Sequence, residues 1–165
     1  MPTAPLIDVF ASAERLLGRT PSDPELRKLL VSLGRWPLPE FESEEVSIYL
    51  EDQARGFCLV FDDSSSLEDP IAAGEQPGTP IFVSAFFYAE GVDGYHAYAA
   101  PLPHGITWSD TASSLLSKMG PPKHEIKSKK TGLLSAHVWA YGRWALTASY
   151  PAGGTSPDHL SLAIF

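Results

Sequence analysis

Cysteine is almost absent from this chain of 165 residues. Cys58 alone excludes an internal disulfide and a multi-cysteine zinc site, and its alternating apolar neighbours predict a buried thiol. Long hydrophobic runs are missing as well: none approaches the ~20 residues of a membrane span. The start, Met1-Pro2-Thr3-Ala4-Pro5, has neither a basic region nor an apolar stretch, so no signal peptide and a soluble cytoplasmic location are expected. Positive charge is scarce, with a formal net charge of −8, which argues against a nucleic-acid partner because phosphate binding needs a basic face.

Chemical motifs are equally sparse. There is no Gly-x-Ser-x-Gly elbow and no Walker lysine after a glycine cluster. His96, His104, His124, His137 and His159 are scattered without the local spacing of a zinc motif. Gly91-Val92-Asp93-Gly94 reads as a turn, and Asp62-Asp63, next to three serines, as a solvated loop. Neither a cofactor nor a metal is expected. An enzyme would require residues converging only in space, for which His104, Asp110 and His137 are the candidates.

What is present is a short unit used twice. Leu29-Leu30-Val31-Ser32-Leu33-Gly34 is echoed by Leu115-Leu116-Ser117-Lys118-Met119-Gly120, each after a Ser-Asp pair and before a proline. Alternating apolar stretches follow both copies, which predicts a helix–sheet unit repeated in tandem. Residues 1–100 would form the first repeat and 101–165 the second, both within one compact domain burying roughly 70% of its unfolded surface.

Local patterns fill in this plan. Leu6, Ile7, Phe10, Ala13 and Leu17 recur at helical spacing, with Gly18 as a stop. A second helix opens on a Ser22–Glu25 capping box and ends at Gly34. Val46 to Glu51 and Phe57 to Phe61 read as a hairpin about Gln53-Ala54-Arg55-Gly56, and Asp62 to Pro80 as a long loop. Ile81 to Tyr88, apolar on both faces, reads as a central strand, and Tyr95 to Ala100 as a short one. A third helix is expected from Asp110 to Met119, then a polar connection from Lys123 to Thr131. His137 to Tyr141 and Trp144 to Tyr150 flank a Gly142-Arg143 turn, and Leu160, Leu162 and Ile164 close the chain as a strand. The fold class is α+β, a mostly antiparallel sheet with helices packed on one face.

Two features point to a partner. From Glu40 to Glu75 the chain is acidic except for Arg55, whereas from Lys118 to Arg143 it is basic except for Glu125. Such segregation gives solubility, and it also steers a basic partner. The strands are dense in Tyr and Trp, residues that dominate binding hot spots when they face outward.

The residues Leu102-Pro103-His104-Gly105-Ile106 before Ser109-Asp110, Leu115 to Pro121, Leu16-Leu17-Gly18 through Leu33-Gly34, and Gly56 to Phe61 resemble small bacterial proteins of the toxin-immunity kind. The doubled helix–Gly–Pro–strand plan is also similar to the β-lactamase inhibitor protein group and related outer-membrane lipoproteins, although Cys58 alone cannot supply that inhibitor's disulfides. The resemblance implies a non-enzymatic monomer or homodimer that neutralises a basic toxin, such as an effector of type VI secretion. An adaptor or secretion chaperone is the alternative. The gripping residues expected are Glu44, Glu45, Asp62, Asp63, Glu68 and Asp69, with outward Tyr49, Trp139, Tyr141 and Trp144 as anchors.

Overall fold

A computed structural model describes residues 6–68 and 74–165. Helices α1 (Val9–Leu16) and α2 (Pro24–Ser32) precede strands β1 (Ser47–Asp52), β2 (Phe57–Asp63) and β3 (Pro80–Tyr88). Helix α3 (Ala112–Met119) then leads into β4 (His124–Lys127), β5 (Leu134–Tyr141), β6 (Trp144–Ser149) and β7 (His159–Ile164). The seven strands form one antiparallel sheet in the order β1-β2-β3-β7-β6-β5-β4, which makes the fold α+β, mostly sheet. Two helices precede three strands in the first part, and one helix precedes four in the second. The expected tandem repetition is therefore not reproduced element for element.

The helices cover one face. Phe10 of α1 packs on Phe87 at 4.8 Å between ring centroids, and Phe87 meets Tyr98 at the same separation. Leu26 and Leu30 of α2 and Leu115 of α3 are fully buried in the same core as Phe57, Leu59 and Phe61 of β2. The opposite face carries a smaller cluster of Cys58, Val60, Ile81, Val83 and Tyr95. Cys58 is buried there as its neighbours predict, and burial, then the Glu51 carboxylate, pushes its thiol up to about 11. Strand β3 thus has apolar packing on both faces.

Several local expectations are corrected. The cap of α2 is Asp23, whose Oδ1 accepts from Glu25 N and Leu26 N, rather than Ser22, whose hydroxyl contacts Thr20 instead. Helix α3 opens two residues later than expected, on a capping box between Thr111 and Ser114. The polar stretch after it contains edge strand β4, exposed along its whole length, so no apolar face betrayed it. Tyr95 to Ala100 forms no strand. Its tyrosines point to different faces of the sheet, with Tyr95 stacked on Tyr88 and Tyr98 hydrogen-bonded beneath α1.

One junction positions the site described next. Strand β3 pairs with β7 only from Ser84 onward. At Phe82 that edge is taken over by the chain leaving α1: Gly18 N–H donates to Phe82 O (2.7 Å), and Phe82 N–H donates to Arg19 O (2.9 Å). Gly18 turns there with φ +85°, a conformation that favours glycine. Thr20–Ser22 is thereby held against the start of β3.

Candidate functional site

Antiparallel pairing of β1 with β2 brings two acidic stretches together. Ser47 lies opposite Asp62, and Asp63 N–H donates to Val46 O (2.7 Å), so Glu44 and Glu45 come next to Asp62 and Asp63 at one end of the sheet. Ser47 Oγ donates to Asp62 Oδ1 (2.6 Å). Glu44, Glu45 and Glu68 are exposed. Asp69 lies outside the described residues.

Beside this acidic end opens a groove of about 800 Å³. One wall is the irregular run from Trp36 to Phe41, and the other is formed by Thr20–Ser22 and Gly78–Pro80, with Asp63 and Glu75 at the rim. Phe41 and Leu38 also pack against the main core, which ties the first wall to the sheet. Trp36 is 38% exposed, and Arg27 of α2 lies over its ring, 4.8 Å from the centroid.

Asp63 is the best-organised group at this site. Its Oδ1 accepts from Ser65 N (2.9 Å), Ser65 Oγ (2.9 Å) and Gly78 N (2.9 Å), and so pins the Ser64–Ser66 turn to the far loop. The Ser65 and Gly78 backbone donors hold its carboxyl below the usual carboxylate range. Among the described residues no donor reaches Oδ2. The carboxylate is therefore fixed, ionised and open on one oxygen, arranged to receive a cationic or N–H donor group.

The expected aromatic anchors divide. Tyr49, 64% exposed, stands on the face of β1 away from the helices, since Ile48 and Leu50 beside it point into the core. Trp139 is not outward: it is 4% exposed, and its indole N–H donates to Gly120 O (3.0 Å) at the end of α3. Strand β5 turns that position toward the helices, so Trp139 is a core residue and not an anchor. Tyr141 and Trp144 stack at 4.7 Å and pack against the helix-side core, both half-buried. They lie at the same end of the sheet as Asp62, but β6 is three strands from β2, about 14 Å at ordinary strand spacing. Tyr49 and this pair therefore do not form one patch with each other.

Trp36, Phe41, Gly78 and Pro80 were not singled out by sequence reasoning. Trp36-Pro37-Leu38-Pro39-Glu40-Phe41 could have been noticed, because two prolines and two aromatics between a helix and a strand mark a stiff exposed run. The loops across the groove carry no comparable signal.

The residues of the enzymatic alternative are engaged separately. Asp110 accepts from Lys118, Thr107 and Ser114. His137 is buried between Tyr150, 3.0 Å from Nδ1, and Glu125, 3.5 Å from Nε2. His104 is exposed in a turn at φ +55°. The three share no hydrogen bond with one another among the described residues, and no group of three or more His, Cys, Asp or Glu there is arranged to hold a metal. No described helix is long and apolar enough to cross a membrane.

No protein-family model matches the chain, and no curated protein matches it. Among solved structures it is similar to YjgB of Bacillus subtilis, a DUF4309 family protein, at 14% identity and a TM-score of 0.46, over 89% of this chain and 79% of the other.

Proposed function

We propose that this chain is a non-enzymatic binding protein of the immunity kind, which neutralises a toxin protein by gripping it with the acidic end of its sheet. The observation that carries this reading is that separate acidic stretches meet at one end of the sheet: Glu40, Asp63 and Glu75 line one groove with Trp36 and Phe41, and Glu44, Glu45 and Asp62 lie beside Asp63. Like charges gathered this way repel one another unless a basic surface covers them, so the arrangement favours a cationic partner. Glu44, Glu45, Asp62, Asp63 and Glu68 supply the field. Trp36 and Phe41 supply the apolar contact in the groove, and Tyr49 is a separate exposed ring on the outer face of β1. A tight complex buries about 1,600 Å² in total, which this end of the sheet can furnish only if the groove and its acidic rim are both covered.

The test is growth. Cells producing the protein encoded beside this chain should be arrested alone and rescued by co-expression of the chain. A partner that binds without being toxic would instead favour an adaptor or secretion chaperone.

A further inference from the structure

We propose that the groove receives an extended, proline-containing segment of the partner protein, with an arginine guanidinium against Asp63. This rests on the protein-binding reading above and goes beyond it by specifying the chemistry of the segment that is bound.

The walls decide the backbone conformation. Pro21, Pro37, Pro39 and Pro80 line the groove and have no N–H to donate, so an incoming chain cannot add as a β-strand along them. A polyproline II segment needs no such ladder, because its backbone is solvated and its rings pack on aromatic and proline surfaces. Trp36 offers the matching handle. Its indole N–H, like that of Trp144, has no acceptor among the described residues, whereas those of Trp108 and Trp139 donate to Tyr98 O and Gly120 O. About five residues of polyproline II span about 15 Å, a length suited to a groove of this volume.

The charge is set by the groove's carboxylates. Asp63 has Oδ1 filled by three donors and, among the described residues, none on Oδ2, which leaves an acceptor for an N–H donor, with Glu40 and Glu75 on the same groove. Outside the groove lining, Arg27 of α2 lies over the Trp36 ring while its Nε donates to Pro21 O (3.3 Å), so it is only a stacking partner of that ring, and the groove's own charge is carried by its carboxylates.

The experiment titrates the full chain with short alternating Arg–Pro, Glu–Pro and Arg–Gly peptides, followed by fluorescence anisotropy and by the Trp36 indole N–H resonance. Saturable binding of the Arg–Pro peptide that moves this resonance is expected. The Glu–Pro peptide should not bind, and the Arg–Gly peptide should bind about tenfold more weakly, because a flexible chain loses more entropy on docking. Asp63→Asn keeps the Oδ1 acceptor that pins the loop but removes the charge, and should weaken Arg–Pro binding about tenfold with an unchanged β-sheet amide spectrum. Trp36→Leu should weaken it similarly.

Equal binding of Arg–Pro and Arg–Gly, insensitivity to both substitutions, or no Arg–Pro binding at all overturns the inference. Growth rescue that survives Asp63→Asn and Trp36→Leu would also overturn it while leaving the immunity reading intact. Peptide binding without any growth rescue would support the groove chemistry and remove the toxin as its target.

Discussion

At the scale of single residues, two backbone positions carry opposite expectations. Glu44 adopts φ +70° on an exposed turn, a region that costs a non-glycine residue about 1 kcal/mol. A glutamate kept there, rather than glycine, suggests that its charge is wanted. Glu44→Gly should therefore raise or maintain the melting temperature while slowing partner association, and a variant that lost stability would refute this account of the turn. Gly56 is constrained differently. It has φ +78°, and a Cβ there would run into the backbone of His96 and Tyr98, where the loop after β3 crosses from one face of the sheet to the other. Gly56→Ala should cost about 2–4 kcal/mol, read from denaturant unfolding, because neither backbone can yield without releasing Tyr95 or Tyr98.

Among elements, α3 shows how a short helix is secured. Asp110 sits just before it and accepts from Thr107 N (2.8 Å), Ser114 Oγ (2.8 Å) and Lys118 Nζ (2.7 Å), while Lys118 also donates to Gly105 O (2.8 Å). Burial raises the Asp110 pKa, but the Lys118, Thr107 and Ser114 bonds outweigh it and bring the value to about 2. The folded value lies below the unfolded one, so this stabilisation is present above about pH 4 and is lost as pH falls toward 2. Asp110→Asn should flatten the acid dependence of the melting temperature across that window and lower stability at neutral pH by about 1–3 kcal/mol. An unchanged acid profile would show that other carboxylates dominate.

The same scale shows what the sequence disclosed. Helices α1 to α3, the β1–β2 hairpin, β6, β7 and the second half of β5 are legible from the period of their apolar residues, and β3 from a short run apolar on both faces; β5 begins at Leu134, three residues before the expected His137. Strand β4 is not, since an edge strand exposed throughout is held by backbone bonds to β5 that leave no pattern. Tyr95 to Ala100 misleads for the converse reason: its alternating apolar residues serve two faces of one loop.

For the whole molecule, the acidic half of the site was legible as composition, but its centre was not. Charge in the 40–75 stretch is visible in one dimension, and the β1–β2 register then gathers it. The groove is built by three loops and two strand ends whose only common property is where the sheet ends, so Trp36 and Asp63 line one groove for reasons no local window contains. Aromatic density alone does not say which face a strand turns inward, which is why Trp139 reads as an outward ring in the sequence and is buried in the fold. The charge arrangement yields a kinetic prediction. The acidic end lies at β1 and β2, the lysines cluster around β4, and those two edges are the extremes of the sheet, so the molecule is electrically polarised as well as negative overall. On the binding reading proposed above, a basic partner would be drawn to one end only. Reversing Glu44, Glu45 and Glu68 to lysine, all exposed, should slow association by about 10- to 100-fold at low salt and change dissociation far less, because rim charges act mainly before contact. At about 1 M salt the Debye length falls to about 3 Å, and the association rates of variant and parent should converge. Reversing Lys127, Lys129 and Lys130 at the other extreme should leave the rate equal or faster. Stopped-flow measurement across salt concentrations checks all three statements together. A slowing of equal size from either end would mean that net charge, and not its placement beside the groove, governs the encounter.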